Sequence, residues 1–426
     1  MNDGDRKKST VGRFLLHLHP KKVDENAIKY NRTFGLGGMA ALLFVILSAT
    51  GMILRFSYVP IVDRAYDSLI NLSKYYVFGH LLRNIHYWSA NLMVVVVCLH
   101  VVRVLYSQSI YFERRTNWLF GLVLLFIVLS FNFTGYLLPW DQLSYWAVTI
   151  MTEILGYIPL AGSYLGNLLR GGNQVGQNTL MNFYVLHTGL LPLLMLIFTV
   201  LHLWLVRKAK GVTTGNNNEK RLVDVNPHLI RKEIIATLGV IGLVLFLSVF
   251  FNAPLKEMAN PLISPNPSKA PWYFMGLQEF LLHIHPSFVA FVLPLAVLLL
   301  FVGMSYQKSE GINVGVWFNS VRGKRQVFNA TVFSFILTLI LILATEYILD
   351  FRGWFPTMPL IISTGLFPLL LFVIPATIYI GYLKKKLTIR NPELLMALVT
   401  IVIVSYLVMT ITGICFRGES MKLVVR

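Results

Sequence analysis

The stretch HYWSANLMVVVVCLH, residues 86–100, carries a histidine at each end of an apolar run, and HTGLLPLLMLIFTVLH, residues 187–202, repeats this arrangement. In an α-helix, a separation of 14 or 15 residues returns a side chain to nearly the same face, about 21 Å further along. Both stretches are therefore predicted to be membrane-spanning helices with two imidazoles on one face, one near each end. If the helices are parallel and these faces are opposed, the first histidines of the two stretches meet, and so do the last.

Two facing pairs of imidazoles suit a metal cofactor. The predicted pairs are His86 with His187 and His100 with His202. Two imidazoles that occupy both axial positions of an iron porphyrin favour electron transfer over oxygen chemistry. A lone buried histidine is more often a hydrogen-bonded structural residue, but four ionisable side chains inside apolar helices are costly without a function. We therefore predict two bis-histidine haem sites stacked across a membrane.

The composition indicates an integral membrane protein. The 426 residues are 56% hydrophobic and 13% charged, and the mean hydropathy is +0.65. The net charge of +18 would suit nucleic acid, but Lys and Arg collect in alternate short loops, as the positive-inside rule expects. No nucleic-acid partner is therefore expected. With only Cys98 and Cys415, the sequence offers neither a disulfide framework nor a CxxCH site for covalent haem.

An all-α polytopic transmembrane helical bundle of nine spans is predicted, each near or above the ~20 residues that cross the hydrocarbon layer. The predicted spans are 34–56, 79–105, 117–138, 181–206, 232–252, 287–306, 329–349, 359–383 and 394–415. With a cytoplasmic N-terminus, the Lys- and Arg-rich loops also lie inside. The second and fourth spans are then parallel, as the pairing of the histidines requires.

The polar linker before the fifth span divides the chain into two halves. We predict a cytoplasmic N-terminal segment (1–33), a dihaem four-helix core (34–210), a cytoplasmic linker (211–231), a C-terminal region (232–383), and an extra span with an outer tail (384–426). The basic N-terminal segment lacks the short apolar core of a secretory signal.

Four glycines repeat the 14-residue interval of the first histidine stretch: Gly37 with Gly51 in the first span, and Gly121 with Gly135 in the third. A flat macrocycle between helices needs close approach of the backbone, which a residue without Cβ permits. Ordinary small-residue helix packing is the alternative. The common register with the histidines favours the cofactor.

These features resemble cytochrome b of the Rieske/cytochrome b (cytochrome bc-type) quinol-oxidising complexes. The resemblance rests on the four histidines, the four glycines and three motifs, which are GYLLPWDQLSYWAV at 135–148, LLRGGNQVGQNTLMNFYVLHT at 168–188 and PWYF at 271–274. It is strong over residues 30–210 and continues more weakly to about residue 383. The 14 residues between His187 and His202 are similar to the chloroplast-type spacing, although both halves are fused here.

The resemblance implies the redox subunit of a quinol:cytochrome c-type oxidoreductase that works by a Q-cycle. Quinol is oxidised at an outer site, and one electron goes to a Rieske iron–sulfur protein and on to a cytochrome c-type partner. The other electron crosses two haems b to quinone at an inner site, and the proton motive force grows as protons are released outside. A homodimer within a larger complex of the inner (cytoplasmic) membrane is also implied.

The resemblance also implies cofactor residues. His86 and His187 match the ligands of the outer haem, and His100 and His202 match those of the inner haem. Arg83 matches the family's arginine near an outer haem propionate, and Arg103, Arg114 and Arg207 are candidates for the inner propionates because they lie at inner helix ends. Interfacial cations that snorkel or set the topology are the alternative for all four.

The outer quinol pocket is implied by the first and third motifs. Its matching residues are Pro139, Trp140, Pro271, Trp272 and Tyr273, and Tyr145 is a further candidate for which an ordinary membrane-interface aromatic is the alternative. The family usually has Pro-Glu-Trp-Tyr in the second wall, with the glutamate as proton acceptor, whereas Ala270 and Pro271 precede Trp272 here. Glu279 is the candidate replacement base, and a solvated outer turn is the alternative for it.

Three further features depart from the family or stand apart from it. Gly35 occupies the position of the cysteine that holds an extra covalent haem in the chloroplast-type protein, so this haem is not expected. Glu346, inside the seventh span, is expected to join an interfacial salt-bridge cluster with Asp350 and Arg352. The last span, 394–415, is expected to anchor a partner subunit or a further cofactor-bearing protein.

Two other functions remain open on the sequence. A dihaem membrane anchor for another quinone-linked dehydrogenase or reductase keeps the haems, but such an anchor needs no outer quinol pocket. A transporter with structural histidines suits the spans and the charge equally well, and it predicts a colourless protein.

Overall fold

The computed structural model describes residues 22–209, 211, 221–307, 312, 314–385 and 387–424. Most of the predicted N-terminal segment and much of the predicted linker lie outside these residues. The first half of the chain contains one short strand and a series of helices. Their bounds are β1 Lys22–Asp24, α1 Tyr30–Thr33, α2 Leu36–Arg55, α3 Val62–Tyr75, α4 Gly79–Tyr106, a 3₁₀ turn Phe112–Arg114, α5 Arg115–Leu137, α6 Gln142–Leu155, α7 Gly162–Arg170, α8 Gln177–Val185, a π-turn Leu186–Leu190 and α9 Leu191–Lys208.

The second half begins with a short strand and is otherwise helical. Its bounds are β2 Leu222–Asp224, α10 Val225–Phe250, α11 Trp272–His283, a π-turn Phe288–Val292, α12 Leu293–Met304, α13 Val321–Tyr347, α14 Phe351–Trp354, a π-turn Ile361–Leu366, α15 Phe367–Lys385, α16 Asn391–Cys415 and a 3₁₀ turn Glu419–Met421.

Eight helical segments of the described residues are long and apolar enough to cross a membrane, which confirms the predicted multi-pass helical bundle. They are Leu36–Arg55, Gly79–Tyr106, Phe112–Leu137, Gln177–Lys208, Val225–Phe250, Val321–Tyr347, Ile361–Lys385 and Asn391–Cys415. The predicted sixth span corresponds to a shorter apolar segment, Phe288–Met304. It lies at the lower end of the lengths that cross a bilayer.

A proline explains the position of each π-turn. Pro192, Pro294 and Pro368 each lie at the second residue of the helix that follows a π-turn. Proline has no N–H to donate to the carbonyl four residues earlier, and its ring crowds that carbonyl. A local i→i+5 turn accommodates the change while the helix continues. One of these turns contains His187.

A small sheet ties the start of the described chain to the segment before α10. β1 and β2 pair antiparallel, with Lys22 opposite Asp224 and Asp24 opposite Leu222. The sequence indicated only that both regions are polar, and it gave no sign of this pairing. Backbone pairing between distant polar segments leaves no hydrophobic periodicity to detect.

The last helix, α16, lies inside the second half rather than at its edge. The share of its apolar window that is buried is 56%, against at most 28% for the other spanning segments. The hydroxyl of Ser334 on α13 donates to the Ile401 carbonyl (2.9 Å), and the Thr338 hydroxyl donates to Ser405 (2.9 Å). This span therefore packs against α11 and α13 of the same chain, and its role as an anchor for a partner stays a prediction.

Candidate cofactor sites and adjoining cavity

The two predicted histidine pairs face each other across the first four spanning segments. The ring centroids of His86 and His187 are 6.4 Å apart, and those of His100 and His202 are 6.5 Å apart. Imidazole nitrogens bind first-row metals at about 2 Å, so two rings that share one ion have centroids about 6 Å apart once the ring radii are added. Both pairs have the separation that a shared metal ion requires.

A threonine orients each ring of the His86–His187 pair. His86 Nδ1 is 2.9 Å from the hydroxyl of Thr50, and His187 Nδ1 is 3.1 Å from the hydroxyl of Thr134. Each hydroxyl donates to a carbonyl of its own helix, at 2.7 Å and 2.8 Å. The threonine oxygen therefore accepts from Nδ1–H, and Nε2 keeps its lone pair for a metal.

His202 has a similar partner, because its Nδ1 is 3.2 Å from the Asn117 carbonyl. The sequence prediction missed all three of these hydrogen-bonding residues. A signal was present for two of them, since Thr50-Gly51 and Thr134-Gly135 repeat the same dipeptide at the depth of one histidine pair.

Each of the four predicted glycines lies against one of the four histidines. A Cβ built on Gly135 would lie 2.6 Å from His187 Cε1, and one on Gly51 would lie 3.2 Å from His86 Cε1. At the other end of the bundle, the corresponding distances are 3.6 Å from Gly37 to His100 and 3.5 Å from Gly121 to His202. The four imidazole rings thus occupy space that a larger residue at the glycine would reduce, and the closest approach is between Gly135 and His187.

These observations fit an iron porphyrin, which His86 and His187 would hold at one end of the bundle and His100 and His202 at the other. The ring separations leave room for one ion at each end. The Nδ1 hydrogen bonds of His86, His187 and His202 leave their Nε2 atoms free to bind a metal, and a glycine beside each ring leaves space for it. Two stacked sites of this kind suit one-electron transfer. The assignment of ligands stays a prediction for the individual residues.

Arg83, predicted to lie near a propionate, holds a loop of the same chain. Its guanidinium donates to the carbonyls of Ala253 (3.0 Å) and Pro254 (2.6 Å). The neighbouring Asn84 is buried and accepts a hydrogen bond from the Ala253 N–H (2.9 Å). The outer end of α4 therefore fixes the segment that follows α10.

The three arginines predicted for the His100–His202 end differ in burial and in their hydrogen-bond partners. Arg103 is buried and donates to the Arg32 carbonyl (2.7 Å), and Arg114 donates to the Ala209 carbonyl (2.9 Å). Arg207 is exposed near the end of α9. Arg32 is therefore a further cation near this site that the sequence prediction did not single out.

A mainly apolar cavity lies at the His86–His187 end, between α5, α6 and α11. One face of α6 lines it with residues spaced as on a helix surface: Ala147, Ile150, Met151 and Ile154. The wall that faces them is formed by Ser268, Ala270, Pro271, Phe274, Leu277, Gln278 and Leu281, with Phe133 and Tyr136 from α5. The i, i+3, i+4, i+7 spacing on α6 was visible in the sequence, but the prediction did not use it.

Of the residues predicted for the quinol pocket, the structure places Pro271 in the wall of this cavity. Trp140 and Tyr145 are buried in a core cluster at the start of α6, with ring centroids 5.6 Å apart, and Pro139 lies in the turn before Trp140. They support the cavity without lining it.

Trp272 and Tyr273 turn toward α4 and α5. The Trp272 indole N–H donates to Asn91 Oδ1 (2.7 Å), and the Tyr273 hydroxyl donates to the Asn132 carbonyl (3.3 Å). The burial of Tyr273 raises the pKa of its phenol well above the usual range. These two side chains fix the start of α11 against the helices that carry the histidines and glycines.

Glu279 lies on the side of α11 that faces α16, away from the cavity. Its side chain is fully buried, so the alternative of a solvated outer turn is wrong. Arg417 donates to both carboxylate oxygens, with Nε 3.0 Å from each and Nη2 2.6 Å from Oε1. His283 Nε2 lies 3.2 Å from the same carboxylate. Glu279 is not among the residues that line the cavity.

Burial raises the pKa of Glu279, but the hydrogen bonds with His283 and Arg417 outweigh this effect and hold the pKa below its usual range. A carboxylate that is stabilised in its charged form is a weak proton acceptor. The position and the pKa of Glu279 both argue for a structural ion pair.

Glu346 joins the same cluster from α13. Arg417 Nη1 is 2.9 Å from Glu346 Oε2, and the Glu346 side chain is 22% exposed. The expected cluster of Glu346 with Asp350 and Arg352 is therefore wrong. The partner lies 71 residues away in the tail, a contact that local charge patterns do not reveal.

Loss of the Arg417 guanidinium is expected to destabilise the protein. Removing one partner of a buried ion pair costs about 3–5 kcal/mol, because the other charge stays buried. Arg417→Met is therefore expected to lower the thermal unfolding midpoint of the purified protein by several degrees at neutral pH. The folded-state pKa of Glu279 is lowered, so this contribution is present above its ordinary pKa of about 4.3 and is lost as the pH falls through the lower folded-state value.

Arg352→Met is the matched control, because Arg352 is exposed. An unchanged midpoint is expected for this variant. Equal midpoints for Arg417→Met and the parent chain would show that the ion pair does not stabilise the fold.

The fold and the two imidazole pairs indicate a class of protein: a multi-pass helical membrane protein whose paired imidazoles suit a redox cofactor. A family model described as "Cytochrome b/b6/petB" matches residues 23–210. The cytochrome b6 of Prochlorococcus marinus (strain MIT 9303) is 43% identical over 178 residues, which is 42% of this chain and 82% of that protein. The cytochrome b6 of Acaryochloris marina (strain MBIC 11017) is 44% identical over 178 residues, 83% of that protein.

This chain therefore belongs to the cytochrome b/b6 family, as its sequence resemblance predicted, and it is a haem b-binding redox subunit. The second half lies outside these matches. A chain of a solved structure titled "Hyperthermophilic respiratory Complex III" shares the fold over 95% of this chain and 96% of its own length, with a TM-score of 0.66 and 23% identity.

Proposed function

We propose that this chain is the cytochrome b subunit of a quinol-oxidising, bc-type complex, and that the cavity between α5, α6 and α11 binds quinol. The observation that carries the proposal is the pair of stacked bis-imidazole sites, with the cavity at one end. When bound, haem b at each site supplies a one-electron carrier, so that electrons from quinol cross to a quinone at the opposite face.

The lining of the cavity as a whole is chemically suited to a quinone headgroup and its apolar tail. It is mainly apolar, and its polar members are Tyr136, Ser268 and Gln278. Gln278 is held in place, because its Oε1 accepts from the Ala270 N–H (2.7 Å) and its Nε2 donates to the Ser268 carbonyl (2.6 Å). Among the described lining residues there is no carboxylate or imidazole. The proton of bound quinol is therefore proposed to leave through hydroxyl groups or water rather than through Glu279.

The wider assignment follows from the family. We propose a Rieske iron–sulfur protein and a cytochrome c-type subunit as electron acceptors, and a homodimer within the complex. We also propose the inner (cytoplasmic) membrane, with the N-terminus inside and the His86–His187 end outside. The positions of the Lys- and Arg-rich loops support this orientation.

Filling the cavity is expected to weaken quinol binding while both haems stay bound. Ala147→Phe adds a ring to the cavity-facing side of α6. Overpacking costs about 1–3 kcal/mol, and a quinol that must displace the ring should bind about tenfold to a hundredfold more weakly. The measurement is the KM for a short-chain quinol in the purified complex, with haem content read from the optical spectrum.

Leu143→Phe is the control on the same helix, because Leu143 does not line the cavity. It is expected to keep the parental KM. A parental KM in Ala147→Phe would show that quinol binds elsewhere, and haem reduction by quinol with no reduction of the cytochrome partner would favour a membrane anchor of another dehydrogenase.

A further inference from the structure

The last helix contacts the cavity wall directly. The cavity wall is defined here as residues 268–281, which include most of α11. The Tyr406 hydroxyl on α16 donates to the Tyr273 carbonyl (2.7 Å) in the first turn of α11. Lys269 Nζ donates to the Ile414 carbonyl at the other end of the contact (3.0 Å). Hydrogen bonds thus join α16 to both the start of α11 and the segment before it.

The two helices are also in close van der Waals contact. A Cβ built on Gly276 of α11 would lie 2.6 Å from Thr410 Oγ1, and one on Gly413 of α16 would lie 2.5 Å from Met275 Cγ. Each helix therefore presents a glycine where the other approaches, so a shift of α16 moves α11 with it. Only the thickness of α11 separates this contact from the cavity, which Phe274 and Leu277 face from the opposite side.

Arg417 locks the same contact just beyond the end of α16. Its side chain is 1% exposed, and that of Glu279 is fully buried. Because the guanidinium also pairs with Glu346 (2.9 Å), it joins α11 to α13. A buried charge is strongly destabilising when its partner is missing. The ion pairs of Arg417 with Glu279 and Glu346 therefore fix the position of the tail relative to α11.

We propose that α16, through Tyr406 and Arg417, positions the cavity wall and so determines the affinity of this protein for quinol. The proposal rests on the proposed function, because it takes the cavity as the quinol site. Tyr406 and Arg417 are positioning residues that act through α11 and do not touch the substrate. The final span of this chain is then an internal part of the quinol site.

A pair of tyrosine variants in the assembled complex tests the proposal. Tyr406→Phe removes the hydrogen bond from α16 to the cavity wall. Tyr106→Phe removes a bond to Thr400 (2.8 Å), which lies six residues before Tyr406 on the same helix, and neither Tyr106 nor Thr400 lines the cavity. A hydrogen bond contributes about 0.5–1.5 kcal/mol, so Tyr406→Phe is expected to raise the KM for a short-chain quinol about threefold to tenfold, with kcat and both haem spectra unchanged. Tyr106→Phe is expected to leave the KM at the parental value.

Amide hydrogen exchange provides a readout that does not depend on activity. In Tyr406→Phe, peptides that cover residues 268–283 are expected to exchange faster than in the parent, while those in Tyr106→Phe match the parent. Arg417→Lys keeps the charge but loses the guanidinium fork, so its KM and exchange are expected to lie between those of the parent and Arg417→Met.

Parental KM and parental exchange in both Tyr406→Phe and Arg417→Lys would overturn the proposal. An equal rise of the KM in Tyr106→Phe would also overturn the proposal, because the loss of any hydrogen bond to α16 would then explain the weaker binding of quinol. A parent complex that does not oxidise quinol would contradict the proposed function instead, and the exchange of residues 268–283 would still decide whether α16 positions this wall.

Discussion

Replacing His86 with alanine is expected to reduce the haem content from two per chain to one. The ring of His86 lies 6.4 Å from that of His187, so the variant leaves a single imidazole at this end of the bundle. The His100–His202 pair is distant by about 21 Å along the helix and keeps both ligands. Pyridine haemochrome quantitation of the purified protein measures the ratio, and quinol-driven reduction of the remaining haem is expected to fall by at least about a hundredfold.

His80→Ala is the matched control for this prediction. His80 lies on the same helix as His86 but is exposed. Its substitution is expected to leave the haem content unchanged. Two haems per chain in His86→Ala would show that His86 is not a ligand, whereas loss of both haems in His80→Ala would indicate that α4 tolerates no change.

Alanine at Gly135 is expected to displace the ring of His187. The added methyl group would lie 2.6 Å from His187 Cε1, and it would also lie 3.1 Å from Nδ1, the atom held by Thr134. Either the ring or α5 must move, and overpacking of this kind costs about 1–3 kcal/mol. The haem at this end is expected to be retained about tenfold to a hundredfold less tightly, and its midpoint potential is expected to shift.

Gly37→Ala provides the comparison, because its methyl group would lie 3.6 Å from His100 Cε1, an ordinary contact. This variant is expected to keep both haems and both potentials. Equal effects of the two substitutions would mean that the glycines serve helix packing alone. A parental spectrum and titration in Gly135→Ala would show that the ring has room that the structure does not give it.

Local periodicity predicted the parts of the molecule that depend on a single helix. The interval of 14 or 15 residues places two histidines on one helix face, and charge in the loops makes α4 and the α8–α9 segment parallel, so the opposed pairs follow. The interval between the glycines adds their register with the rings. The bounds of α2 and α4 agree with the predicted spans to within two residues, since a long apolar run has few alternatives in a membrane, whereas α10 and α13 begin seven and eight residues earlier than predicted.

Contacts between segments that are distant in the chain could not be predicted from the sequence. Glu279 and Arg417 are 138 residues apart, and neither one's surroundings reveal that the other is its partner. The prediction therefore treated Glu279 as a candidate base and the last span as a candidate anchor. Helical spacing alone could have predicted the face of α6 that lines the cavity. The family motif instead pointed to Trp140 and Tyr145, which are buried in a core cluster at the start of α6.

We propose that two b-type haems are stacked between the two helices that carry the histidines. A reductive titration of the purified protein, followed by optical spectroscopy, tests it most directly. We expect two one-electron steps with separate midpoint potentials, with one step lost in His86→Ala and the other lost in His202→Ala. A colourless protein, or a titration that both variants leave unchanged, would contradict it.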